Sequence, residues 1–271
     1  MSSQTVELVL RRDRLVIVAA LIVITGLAWA YVAWLANDMS MGVDMTGFRM
    51  IPSGMGLMVP ASTPWQPIEF IFMFAMWVVM MIGMMTPSAA PMVLLYARVG
   101  RQAVMQGKPF ANCNWFFGGY LMAWVAVSVV ATVVQWALQR ASLLTPMMDG
   151  ASSIFGGVLL IAAGLYQWTS LKAACLRQCQ APLLFIQRHG GFRRDAVGSF
   201  GLGIRHGAYC VGCCWALMAL LFVGGVMNLL WVAGLAIFVF LEKIIPAGRI
   251  IARVAGGVLV VGGASLLATA L

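Results

Sequence analysis

Residues 68–91 read IEFIFMFAMWVVMMIGMMTPSAAP. From Phe70 to Met85 no side chain carries a charge or an amide, and a run of about 20 apolar residues is what a helix needs to cross a hydrocarbon core. Comparable runs occur at Leu15–Ala36, Cys113–Leu138, Ser152–Leu171, Tyr209–Met227, Asn228–Ile245 and Ala252–Leu271. Hydrophobic residues make up 62% of the 271 and charged residues 9%, with a mean hydropathy of +0.95. Those values exclude a soluble globular domain. The expectation is an all-α, polytopic transmembrane helical bundle of about seven spans. Residues 1–14 form a cytosolic tail, and 15–271 a single transmembrane domain.

The first run has a small-x-small site at Ala28-Trp29-Ala30, as a cleaved signal peptide would. Its apolar character continues through Leu35, however, which favours a retained anchor. Pro87 and Pro91 lie near the far end of the second run. A proline removes a backbone donor, so a kink is expected there, with Thr86 and Ser88 satisfying freed backbone groups. The segment Arg188 to Gly203, with five glycines and little apolar periodicity, reads as a loop.

The formal charge of +9 does not point to nucleic acid, because the basic residues are spread through short connecting segments. They sort by side instead. With a cytosolic N-terminus, fifteen of the seventeen Lys and Arg face the cytosol, leaving Arg49 and Arg140 outside. That asymmetry is the positive-inside pattern of a multi-pass protein of the inner (plasma) membrane. The C-terminus then lies outside, unless the fifth and sixth runs form one broken helix.

Soft ligands mark both ends of this path. Thirteen of the 20 methionines fall between Met39 and Met92. Six of them occupy the extracytosolic loop 37–67, including Met39, Met41 and Met45. Water-exposed loops seldom carry so much apolar side chain without a use. Met73, Met76, Met80 and Met84 recur at steps of three and four, one narrow stripe of a helix, with Met81 and Met85 beside it. Taken alone such a stripe packs a core; continuity with the loop adds a ligand reading. On the cytosolic side, Cys175 and Cys179 share a face at i,i+4. His206, Cys210, Cys213 and Cys214 share another at i, i+4, i+7 and i+8. That compartment keeps thiols reduced, and thiolate and thioether select Cu(I) over harder cations. A buried cysteine often only packs, which is the reading for Cys113. Glu242 and Lys243 close the sixth run near the cytosolic interface, where snorkelling accounts for them equally well. A carboxylate there would be placed to hold His206 in one tautomer.

Three blocks carry a family resemblance. WVVMMIGMMTPSAAP at 77–91, the stretch from Gln167 through Lys172, Cys175 and Cys179 to Pro182, and HGAYCVGCCWALM at 206–218 resemble a bacterial family of predicted metal-binding integral membrane proteins, classed as a domain of unknown function. Glu242-Lys243 fits the same pattern. The resemblance spans roughly residues 65–260. Gly83 stands where the family's MMxAMMxPS block has Ala, and the loop's methionine content is not a family trait. Metal binding is what the resemblance implies.

The functional expectation is a membrane protein that binds and translocates or delivers a soft metal ion, foremost Cu(I), rather than an enzyme. No P-loop or phosphorylation motif suggests an ATP-driven pump. Its ligands are Met39, Met41, Met45, Met73, Met76, Met80 and Met84, then Cys175, Cys179, His206, Cys210, Cys213 and Cys214, with Glu242 and Lys172 in support. Its partners are the ion, the bilayer, a metallochaperone or second membrane subunit, and in a homo-oligomer its own copies, but not nucleic acid. Two alternatives stay open. Cys210 and Cys213 have redox spacing for a thiol–disulfide oxidoreductase, and the thiols would also suit a structural Zn(II) site.

Overall fold

The computed structural model of this chain describes residues 3–40, 48–51, 58–60, 64–145, 148 and 150–270. They form ten helices and one short ribbon. The helices are α1 (Ser3–Ser40), α2 (Pro67–Met105), α3 (Cys113–Arg140), α4 (Ser153–Gln167), α5 (Ser170–Gln180), α6 (Pro182–Arg188), α7 (Ala196–Ala219), α8 (Leu221–Gly224), α9 (Leu229–Ile244) and α10 (Gly248–Ala270). Strands β1 (Phe48–Met50) and β2 (Met58–Pro60) pair antiparallel, with Arg49 opposite Val59, inside the segment expected to be loop. The helical class is as expected, apart from this ribbon.

Five helices are long and apolar enough to cross a membrane: Arg14–Asn37, Pro67–Met105, Cys113–Arg140, Ala196–Gly224 and Gly248–Ala270. A sixth arises if α4 and α5 count together across their 65° bend. The remaining expected span, the sixth run at Asn228–Ile245, corresponds to α9. Its 16 residues extend about 24 Å at 1.5 Å per residue, short of a hydrocarbon core of about 30 Å. Large apolar side chains such as Ile22, Leu27, Val130, Val158 and Val258 point outward, as lipid-facing surfaces do.

Several expected boundaries are corrected. The fourth run does not continue straight to Leu171. It ends at Gln167, and the Thr169 hydroxyl accepts from Lys172 N to start α5 in a new direction. The segment 188–203 is not a loop throughout. Asp195 caps a helix that begins at Ala196, thirteen residues before the expected Tyr209, by accepting from Gly198 N. Gly203 there serves close packing. A Cβ on Gly203 would stand 2.0 Å from Phe116 O, and one on Gly119 2.0 Å from Phe200 O, so α3 and α7 meet backbone to backbone. Gly157 and Gly164 of α4 meet Gly263 and Gly256 of α10 in the same way, small residues allowing close approach.

Helix α2 runs unbroken past Pro87 and Pro91. The Thr86 and Ser88 hydroxyls do not satisfy its backbone; both are buried without a hydrogen-bond partner among the described residues. The core is the space that α2, α3, α7 and α9 enclose. It is filled by Trp77, Tyr96, Phe116, Tyr120, Trp124 and the methionines of α2.

Candidate metal centre

Because α7 starts early, its cysteines lie at mid-helix rather than at an end. Cys210, Cys213 and Cys214 are 0–2% exposed and His206 is 3% exposed. The Cys213 and Cys214 thiols both donate to Cys210 O at 3.0 Å. Helix α5 lies against this face at Gly212, where an added Cβ would stand 2.8 Å from Cys175 Sγ. The Tyr166 hydroxyl donates to Gly212 O from the end of α4. One turn on from Cys175, the Cys179 thiol meets the thiols of Cys210 and Cys213. The two predicted cysteine groups therefore converge, and all six cysteines are free. Cys113 stands apart at the start of α3, beside the side-chain carbonyls of Asn112 and Asn114.

Helix α9 supplies the charges. Gln180, the last residue of α5, donates to Glu242 O at 2.9 Å and Ile245 O at 3.1 Å, tying α5 to the end of α9. Glu242 and Lys243 are 0% and 5% exposed, which corrects the expectation of an interfacial, snorkelling pair. Consecutive on a helix, they diverge. Glu242 pairs with Lys172 of α5 at 2.7 Å. Lys243 Nζ lies 2.7 Å from Cys210 Sγ, 3.9 Å from Cys214 Sγ and 3.9 Å from Met85 Sδ. The Glu242 carboxylate thus serves Lys172 and does not orient His206. That imidazole sits among Phe185, Phe116 and Tyr120, with centroids 5.0, 5.8 and 5.9 Å away, and its Nδ1 has no partner among the described residues.

The methionine stripe leads to this point. Met73, Met76, Met80 and Met84 are 0–2% exposed, in the core rather than on the outer surface. At one end Gln135 Nε2 donates to Met73 Sδ at 3.4 Å, while Gln135 Oε1 accepts from Trp77 Nε1 at 2.6 Å. At the other end Met85 reaches Lys243. The Tyr120 hydroxyl donates to Met85 O at 3.0 Å and lies 3.2 Å from Cys210 Sγ. Side chains from α2, α3, α5, α7 and α9 therefore meet within one buried cluster. Met39 belongs to α1 but its side chain is not described, and Met41 and Met45 lie outside the described residues.

Sequence reasoning did not single out Tyr120, Gln180 or Gln135, and it left Met85 beside the stripe. Nothing local in the chain marks a tyrosine of an apolar helix as a thiol's neighbour. Among the described residues, no three His, Cys, Asp or Glu side chains are arranged to hold a metal ion. The thiols of Cys213 and Cys214 are engaged with backbone, so the cluster is not a preformed cage.

Residues 74–266 match the family model described as PpoB2, copper chaperone. The chain belongs to this copper chaperone family. The match covers α2 from Phe74 onward and every cysteine, and it omits α1 and the ribbon. The resemblance to a metal-binding family thus holds at the level of a copper-related family. Comparison with curated proteins and with solved structures gave no match.

Proposed function

We propose that this member of the copper chaperone family is a multi-pass protein of the plasma membrane that binds Cu(I) and carries it along buried sulfur, from the Met73–Met84 stripe to the cysteine cluster. One observation supports this above the rest: the thioethers of α2 end at Met85, and Met85 Sδ and Cys210 Sγ share one neighbour, Lys243 Nζ. Thioethers need no deprotonation and suit capture, whereas thiolates hold Cu(I) more tightly. Two lysines and one carboxylate leave the cluster one positive charge, the sign that complements a Cu(I) ion held by two thiolates. Rotation of the Cys213 and Cys214 side chains off Cys210 O would release them as ligands. With α9 as a short span and α4–α5 as a bent one, the chain makes seven crossings, N-terminus in the cytosol. Met39, Met41 and Met45 then capture the ion outside, His206 stands at the rim, and a metallochaperone or membrane subunit exchanges it inside.

The competing chemistries have less support. A structural Zn(II) site takes four ligands in a closed tetrahedron, and among the described residues the Cys213 and Cys214 thiols turn to Cys210 O instead of closing one. Thiol–disulfide exchange needs an accessible sulfur, and Cys210 and Cys213 are buried. The test is competition of full-length protein in detergent against a chromophoric Cu(I) chelator. The Cys210→Ser/Cys213→Ser/Cys214→Ser variant is expected to lose tight binding with its helical circular dichroism unchanged. Undiminished binding would remove the proposal.

A further inference from the structure

The bend between α4 and α5 opens a cavity of about 310 Å³. Its lining includes Gln167, Trp168, Lys172, Arg177, Arg249 and Arg253. Helix α5 has eleven residues and presents its N-terminus here, and the first N–H groups of a helix have no acceptor within it. Thr169 Oγ1 satisfies Lys172 N, one turn in. Gln167 is 4% exposed, and neither its Nε2 nor its Oε1 has a partner among the described residues. A buried amide costs free energy unless it is hydrogen-bonded, so this side chain lacks a ligand of its own. Lys172 is neutralised by Glu242, whereas no carboxylate among the described residues pairs with Arg177, Arg249 or Arg253. The Trp168 indole donates to Arg253 O at 3.0 Å, which holds the α4–α5 bend against the first turns of α10.

A helix N-terminus, an unpartnered buried amide donor and three unpaired guanidiniums around one cavity are complementary to an oxyanion. We infer that this cavity is a binding site for a phosphate-type anion. Two sources share that chemistry, a phospholipid headgroup and free phosphate. The exposed apolar side chain of Leu171, between the lining residues Ser170 and Lys172, would lie along the acyl chains of the former.

Native mass spectrometry of the full-length protein, delipidated in detergent, tests the site. The probes are phosphatidylglycerol, phosphatidylcholine and inorganic phosphate. Wild type is expected to retain phosphatidylglycerol in preference to phosphatidylcholine, and Arg249→Gln/Arg253→Gln to weaken it about thirtyfold. Gln167→Leu leaves net charge unchanged and is expected to weaken it about tenfold. Arg188→Gln/Arg194→Gln, at exposed positions away from the cavity, removes the same charge and is expected to leave binding intact. Retention of inorganic phosphate without lipid would keep the site and assign its source as soluble. Equal losses in the cavity and control variants, unaltered binding in Gln167→Leu, or no retained probe would each overturn the inference.

Discussion

Lys243 Nζ and Cys210 Sγ stand 2.7 Å apart inside the bundle, joining α9 to α7. Under the proposed function this ammonium offsets the negative charge of a thiolate-bound Cu(I). Its effect is strong because the site is shielded from water. Lys243→Met keeps the stem volume and removes the charge. Cu(I) affinity is expected to fall at least about tenfold, about 1.4 kcal/mol, with Lys243→Arg intermediate. Chelator competition measures this. Tighter binding in Lys243→Met would mean that the ammonium merely occupies the place of the ion.

Glu242 and Lys172 make the second buried contact of α9, 2.7 Å apart and 0% and 1% exposed. Removing one partner of such a pair strands a buried charge, at a cost of about 3–5 kcal/mol. Replacing both by apolar groups is often neutral. Glu242→Gln is therefore expected to lower the melting temperature more than Lys172→Met/Glu242→Leu does. Differential scanning fluorimetry of the three proteins checks the order, and a double variant less stable than the single one would contradict it.

Two glycines of α7 separate close approach from mere flexibility. Nothing lies within 4 Å of a Cβ on Gly201, whereas one on Gly203 would overlap Phe116 O at 2.0 Å. Gly201→Ala is expected to be neutral or to stabilise by up to about 1 kcal/mol through helix propensity. Gly203→Ala forces α3 and α7 apart, and folded protein should not accumulate. Size-exclusion profiles after solubilisation distinguish the two.

That contrast also explains which parts of the molecule were legible from sequence. Apolar runs and i,i+4 spacings are local, so the α2 stripe and the buried faces of Cys175–Cys179 and Cys210–Cys214 could be read directly. Glycine carries two meanings, a free turn or a close backbone neighbour, and only the neighbour decides between them. Gly203 read as loop because Phe116, far away in the chain, supplies that neighbour. The start of α7 moved with it, and the cysteines went from the helix end to its middle. Tyr120 and Lys243 meet Cys210 from two other helices, and both also reach Met85 of a third, a convergence that no periodicity within one segment encodes. The sequence leaves the partner of Glu242 open for the same reason: Lys172 arrives only through the bend at Trp168 and Thr169.

Gly212 controls how closely α5 approaches the thiols. A Cβ there would stand 2.8 Å from Cys175 Sγ, so Gly212→Ala should cost about 1–3 kcal/mol by overpacking and draw Cys179 away from Cys210. Both melting temperature and Cu(I) affinity are expected to fall. Cys175→Ala deletes the clashing sulfur, and in the Gly212→Ala/Cys175→Ala double variant α5 can return to α7. If Cys175 serves only to pack, the double variant recovers both quantities. If Cys175 is itself a ligand, stability recovers while affinity stays low. This cycle therefore separates the structural from the metal-binding role of Cys175, a distinction that deleting the cysteine alone cannot make.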